Sequence, residues 1–102
     1  MSASNRMTKA LRVVSIALGP RASVRQALIL SLLTGHKYVD QPSLLSRLQR
    51  SIQGAGSQAA ISQSLKRLHS AGLVVYHLDP YDARRRHVKL SKRAGVLFAA
   101  VS

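Results

Sequence analysis

The chain is 102 residues long, 46% of its residues are hydrophobic, and 16 Lys and Arg residues against three Asp residues give a formal net charge of +13. This length and hydrophobic share predict a single domain, residues 1–102, with one packed core, and they argue against general disorder. The absence of cysteine excludes disulfides and thiolate chemistry, and the excess of positive charge predicts a polyanionic partner.

Two helices are predicted in the first third of the chain. The first, over 6–18, has an apolar residue every three or four positions, namely Met7, Leu11, Val14 and Leu18. Gly19-Pro20 ends it, and Ser23-Val-Arg-Gln26 forms a capping box that opens a second helix over 23–34. This second helix is apolar on nearly all sides, which is typical of a buried central helix. The stripe of the first helix can pack on its own domain or on a second copy of the chain.

The middle of the chain predicts two further helices. Pro42 suits the first position of a helix over 42–52, and residues 36–39 before it can form a short strand or a loop. After the glycine-containing segment 53–56, Ser57 is a good N-cap for a helix over 57–71 that ends at Gly72. One face of this helix is apolar, with Ile61, Leu65 and Leu68. The opposite face carries no acid and consists of Gln58, Ser62, Gln63, Lys66 and Arg67.

A β-hairpin is predicted over 73–91. Its strands are the β-rich segment 73–78 and the alternating segment 87–90, and the residues between them are turn formers followed by three arginines. Ser91 then caps a last helix over 92–101, which has Ala94, Leu97, Phe98 and Val101 on one side. A basic helix that leads into a hairpin with a basic tip is the plan of a winged helix-turn-helix.

The segment 57–91 resembles the DNA-binding core of the MarR family of transcription regulators. The resemblance rests on Leu68-His-Ser-Ala-Gly72-Leu-Val, on Asp82-Ala-Arg84 ten residues later, and on Val88-Lys-Leu-Ser91 followed by Gly95. It implies a mainly α fold with a small β-hairpin wing, an α+β winged helix-turn-helix. It also implies DNA contacts by Ser62, Gln63 and Arg67, and an Asp82 that orients the wing arginine Arg84. The spacing from Leu48 to Ile61 is thirteen positions, about six more than in the family pattern. Either the helix over 42–52 is extended, or the turn that follows it is a loose glycine loop.

Apart from the resemblance, the chemistry of these residues also favours binding to double-stranded DNA. A helix whose exposed face is polar and free of acids can enter a major groove, where glutamine can bond bidentately to adenine and arginine to guanine. A helix N-terminus can hold a phosphate, and arginines of a wing can reach a minor groove or the backbone. The predicted DNA-binding residues are Ser57, Gln58, Ser62, Gln63, Lys66, Arg67, Arg84, Arg85 and Arg86.

Catalysis and metal binding are not expected. The chain has no carboxylate pair for acid–base chemistry and no convincing Ser/His/Asp arrangement, and it shows no zinc-ligand spacing. His77 and His87 are equally far from Asp82, so we expect them to face each other across the hairpin without a metal. We therefore expect no enzyme activity and no cofactor.

The sequence thus predicts a cytoplasmic, nucleoid-associated protein that binds double-stranded DNA. The favoured role is a sequence-specific transcription regulator, a repressor that acts on a palindromic operator as a homodimer through its N-terminal helix, its C-terminal helix or both. The alternative is a DNA-organising protein: a plasmid or virus centromere binder, an origin binder or a nucleoid-associated protein. RNA binding is less favoured because aromatic residues are few, and a membrane surface because the chain has no Trp and one Phe.

Overall fold

A computed structural model describes residues 3–34, 39–40, 58–82 and 86–101. The helices of this part are α1 (Ala3–Leu18), α2 (Val24–Leu33), α3 (Gln58–Ser70) and α4 (Lys92–Ala100), and a short 3-10 turn (Gly19–Arg21) joins α1 to α2. The strands are β1 (Val39–Asp40), β2 (Val74–Leu78) and β3 (Arg86–Leu90). The predicted fold class, mainly helical with a small β wing, is confirmed. The helix predicted over 42–52 and the N-cap Ser57 lie outside the described residues.

Helix α2 is the central element of the core, as its all-round apolar sequence predicts. Ala27, Ile29, Leu30 and Leu33 are fully buried, and α2 contacts α1, α3 and β3. The remaining buried hydrophobic residues come from α1, from α3, from the start of α4 and from the sheet with the turn before it: Ala10, Val13, Val14, Ile61, Leu65, Leu68, Leu73, Val74, Val88 and Ala94.

The capping box at the start of α2 is confirmed. The Ser23 N–H donates to Gln26 Oε1 over 2.8 Å, and the Gln26 N–H donates to Ser23 Oγ over 3.2 Å. Each of these bonds satisfies a backbone donor that the first helical turn leaves without a partner. The box therefore fixes where α2 starts and how the chain enters it from the turn after α1.

Helix α1 differs from the sequence prediction in its start and in its buried face. It begins at Ala3, three residues before the predicted position, and its buried face is centred on Ala10, Val13 and Val14. Leu11, which the prediction places in the apolar stripe, is 39% exposed. The reason is that α1 packs against both α2 and α4, so the face between these neighbours is buried rather than the most regular apolar stripe.

The three strands form one antiparallel sheet in the order β1-β3-β2. In the β2–β3 hairpin His77 lies opposite His87, as their equal spacing from Asp82 predicts. The third strand, predicted within 36–39 as an alternative to a loop, is Val39–Asp40, and Val39 pairs with Val88. The edge strand β1 thus attaches the segment after α2 to the wing.

Candidate nucleic-acid interface

Helix α3 has two chemically distinct faces. Ile61, Leu65 and Leu68 are buried in the core, in agreement with the predicted stripe. Gln63, Lys66 and Arg67 are exposed, and Ser62 is half-buried. Two of the other candidates are described: Gln58 is the first residue of α3, and Arg86 is the first residue of β3 and has an exposed side chain. The remaining candidates lie outside the described residues: Ser57, Arg84 and Arg85. The structure therefore brings Gln63, Lys66 and Arg67 together on one surface, and the DNA-contact roles of all these candidates stay predictions.

The C-terminus of α3 is closed by a Schellman motif. Gly72 has a φ of +76°, a conformation that glycine adopts without steric cost. The Leu73 N–H donates to the Leu68 carbonyl over 2.9 Å, and the Gly72 N–H donates to the His69 carbonyl over 3.0 Å. These bonds fix the point at which the helix ends and the direction in which the chain leaves toward β2.

Two side chains at the start of α4 hold this end of α3. The Ser91 hydroxyl donates to the Gly72 carbonyl over 2.5 Å and accepts from the Ala94 N–H over 3.0 Å, so it caps α4 as predicted. Arg93 Nη1 donates to the Ala71 carbonyl over 2.5 Å. A guanidinium at this place also interacts favourably with the negative end of the helix dipole. Helix α3 is therefore fixed relative to the sheet and to α4.

The turn at the tip of the wing is organised by Asp79. Its Oδ1 accepts the backbone N–H groups of Tyr81 over 2.8 Å and Asp82 over 3.0 Å, which is the pattern of an Asx turn. Its Oδ2 lies 2.9 Å from His87 Nε2, within hydrogen-bond distance across the hairpin. The predicted pairing of Asp82 with Arg84 cannot be compared, because Arg84 lies outside the described residues. The contact between Asp79 and His87 is not predicted by the sequence, although Asp79-Pro80 is a turn signal.

These contacts change the acidity of Asp79. The hydrogen bond from His87, and after it the backbone N–H groups, hold the pKa of the Asp79 carboxyl below its ordinary value. The folded protein thus binds this proton more weakly than the unfolded chain does. Ionised Asp79 therefore stabilises the fold at pH values above its unfolded pKa, and this contribution is lost as the pH falls through the folded pKa.

Replacing His87 by alanine is expected to raise the pKa of Asp79 toward its ordinary value, because the main partner of the carboxylate is removed. An NMR titration of the Asp79 carboxyl carbon measures this shift. His77→Ala removes the histidine that faces His87 and should leave the pKa of Asp79 unchanged. An Asp79 pKa that is the same in His87→Ala and in the original protein would show that the hydrogen bond between Asp79 and His87 does not form in solution.

A stack of side chains connects the wing to α3. The Arg86 guanidinium carbon lies 5.7 Å from the centroid of the Tyr76 ring, and the Tyr76 ring lies 4.9 Å from the His69 ring with a tilt of 50°. Cation–π and tilted aromatic contacts of this kind stabilise a fixed relative position. Burial raises the pKa of the Tyr76 hydroxyl, while Arg86 acts in the opposite direction. Arg86 is thereby held at a defined place beside the C-terminal half of α3.

None of the three acids of the chain belongs to α3. Asp40 is in β1, while Asp79 and Asp82 are in the wing turn.

Among the described residues, no group of three or more His, Asp or Glu side chains is arranged to hold a metal ion. No helix in the described part of the chain is both long enough and apolar enough to cross a membrane. The site thus offers cations and hydrogen-bonding side chains to an external partner.

Comparison with solved structures identifies the fold. MarR superimposes with a TM-score of 0.69 at 17% identity, over 96% of this chain and 68% of that one. The PcaV transcriptional regulator from Streptomyces coelicolor superimposes with a TM-score of 0.66 at 19% identity, over 95% and 68%. A probable transcriptional regulator from Pseudomonas aeruginosa gives 0.60 at 26% identity, over 95% and 70%. No protein-family model and no curated protein sequence matches the chain.

These superpositions establish a MarR-like winged-helix fold, which confirms the resemblance inferred from the sequence. The chain spans roughly two thirds of the length of each of these structures. At this level of identity the superpositions show the fold alone, and the chemistry of the site itself indicates its partner.

Proposed function

We propose that this protein is a double-stranded DNA-binding transcription regulator, and that it acts as a repressor by occupying an operator. The observation that carries the proposal is the exposed, acid-free face of α3 with Gln63, Lys66 and Arg67, fixed beside a wing that presents Arg86. In a winged helix-turn-helix this helix enters the major groove, and the wing contacts the neighbouring backbone or minor groove. The solved structures with the same fold include proteins described as transcriptional regulators.

These side chains are expected to make different contacts with DNA, because their chemistry differs. Gln63 carries an amide that can pair with the edge of adenine, so it contributes sequence discrimination. Lys66 and Arg86 contribute mainly by neutralising phosphates, which strengthens binding to every sequence. Arg67 can take either role, since guanidinium bonds both guanine and phosphate. Losing Gln63 should therefore reduce the difference in affinity between the preferred DNA sequence and other sequences. Losing Lys66 should lower the affinity for all DNA sequences alike.

The decisive experiment is selection of bound fragments from random and genomic duplex DNA, followed by a salt titration on the selected site. A repressor should prefer one short, approximately palindromic site by at least about 10³-fold over random DNA at physiological salt. Its affinity should fall steeply with salt, because phosphate contacts release counterions. Equal binding to all duplexes would refute operator recognition and would favour the DNA-organising role, and a preference for single strands would refute duplex binding itself.

We further propose that the protein binds DNA as a homodimer through α1 and α4. These two helices contact each other and expose apolar side chains, since Ile16 is 59% and Val96 is 65% exposed. A symmetric contact of such surfaces would remove them from water, and two copies would read the two halves of a palindrome.

Substituting serine for both Ile16 and Val96 is expected to shift the protein from dimer to monomer, because the exposed apolar area that drives association is removed. Sedimentation equilibrium measures the dissociation constant. Val24→Ser is the matched control, since Val24 is 58% exposed on a different helix, and this variant should remain dimeric. A double variant that dimerises as tightly as the control would place the interface elsewhere.

A further inference from the structure

An open groove of about 1040 Å³ runs between α3 and the turn that follows α1. Its α3 wall consists of Gln63, Lys66, Arg67 and Ser70, which recur at the spacing of a single exposed helix face. The opposite wall consists of Ala17, Leu18, Pro20 and Arg21. The groove therefore adjoins the face of α3 that is proposed to enter DNA, and the turn after α1 forms its outer edge.

The backbone of this turn holds Arg21 in a defined place. Gly19 has a φ of +58°, the ring of Pro20 fixes that residue's own φ, and the Ala22 N–H donates to the Gly19 carbonyl over 3.0 Å. The capping box of Ser23 and Gln26 then fixes the start of α2 immediately afterwards. Arg21 is exposed, so its guanidinium is presented to solvent at the rim of the groove from a constrained backbone.

The charge of the groove predicts the chemistry of its occupant. Lys66, Arg67 and Arg21 give it three cations, and no acid is among the described residues that line it. Like charges that share an open groove repel one another, and an anion that lies between them relieves this repulsion. An extended polyanion fits better than a small one, because the cations are distributed over both walls.

We propose that Arg21 binds a backbone phosphate of the same duplex that receives α3, so that the turn after α1 is a third DNA contact beside α3 and the wing. This inference rests on the proposed function. Arg21 stands at the flank of α3 rather than on the helix itself, so its contact is with the backbone and carries no sequence information. It therefore increases affinity for specific and random duplexes by the same factor.

The test compares Arg21→Ala with Arg12→Ala on the selected duplex and on a random duplex. Arg12 is also exposed, on α1, and does not line the groove, whereas both variants lose one positive charge. We expect Arg21→Ala to lower the affinity for both duplexes by roughly 5- to 10-fold. It should also reduce the slope of log affinity against log salt concentration by about 1. Arg12→Ala should change neither quantity, and Arg21→Lys, which keeps the charge, should retain most of the affinity.

Several results would overturn the inference. Equal duplex affinities for Arg21→Ala and Arg12→Ala would show that the turn does not touch DNA, and equal weakening by Arg21→Lys and Arg21→Ala would show that charge is not the cause. Inorganic phosphate alone is a further probe: if it binds at Arg21 in an NMR titration while Arg21→Ala keeps full duplex affinity, the groove is an anion site unrelated to DNA. Failure of the unaltered protein to bind duplex would instead refute the proposed function.

Discussion

Replacing Lys66, Arg67 and Arg84 to Arg86 together by alanine is expected to reduce the affinity for duplex DNA by about 10³-fold or more. Lys66 and Arg67 are exposed on the acid-free face of α3, and Arg86 is held beside it through Tyr76. Each phosphate contact that is lost also removes counterion release, so the log–log salt slope should become shallower by about four to five. Fluorescence anisotropy over a range of salt concentrations measures both effects.

A matched control separates the position of the charges from the change in net charge. A triple variant of Lys66, Arg67 and Arg86 can be compared with a triple alanine variant of Arg6, Lys9 and Arg12, three cations of α1. Both variants lose three positive charges, so a purely long-range electrostatic effect would weaken both equally. We expect the first variant to lose at least about tenfold more affinity than the second. Equal losses would show that the exposed face of α3 and the wing are not the binding surface.

Leu68→Ala is expected to lower the free energy of unfolding by about 3 kcal/mol. Leu68 is fully buried in the core, and its carbonyl accepts the Leu73 N–H in the motif that ends α3. Truncating a buried leucine removes its transfer free energy and leaves a cavity, at a cost of roughly 2–5 kcal/mol. For a domain of this size the loss is a large share of the total stability. Urea denaturation followed by circular dichroism measures it.

Leu78→Ala provides the comparison for this substitution. Leu78 ends β2 and is 64% exposed, so the same truncation should cost less than about 1 kcal/mol. Similar losses of unfolding free energy in the two variants would contradict the assignment of Leu68 to the core and of the opposite face of α3 to solvent. Because Leu68 does not belong to the exposed face, residual DNA binding by its folded fraction should retain the original sequence preference.

The parts of the fold that the sequence predicts well are those that local chemistry determines. In α3, Ile61, Leu65 and Leu68 repeat at helical spacing, and all three are buried. The capping box at Ser23 and the glycine at the end of α3 act within a few residues, so their motifs can be read directly. The hairpin register follows from the positions of His77 and His87 around the turn.

The parts that the sequence does not predict depend on neighbours that are distant in the chain. Leu11 fits an apolar stripe, yet α2 and α4 together decide that Val13 is buried instead. Asp79 and Asp82 both suit a turn, and only the fold brings His87 within 2.9 Å of Asp79. Arg93 bonds a carbonyl 22 residues earlier, a contact that no local pattern marks.

In the candidate site, too, some features follow from the local sequence and others depend on contacts between distant parts of the chain. The exposed polar face of α3 can be predicted from helical periodicity, since the positions that are not apolar must face outward. Arg21 has no such signal, because it is one cation in a turn, and only the packing of α1 against α2 places it across a groove from Lys66. The side chains that position the site, Tyr76 and Ser91, likewise gain their roles from contacts between elements.

We propose that the exposed face of α3 and the wing form one surface that binds duplex DNA. An amide NMR titration with the selected duplex tests it most directly, because each backbone N–H reports contact at its own position. We expect the largest shifts at Gln63, Lys66 and Arg67 and at Arg86, with small shifts in the α1 segment around Ala10. Shifts confined to α1 and α4, with α3 and the wing unchanged, would contradict it.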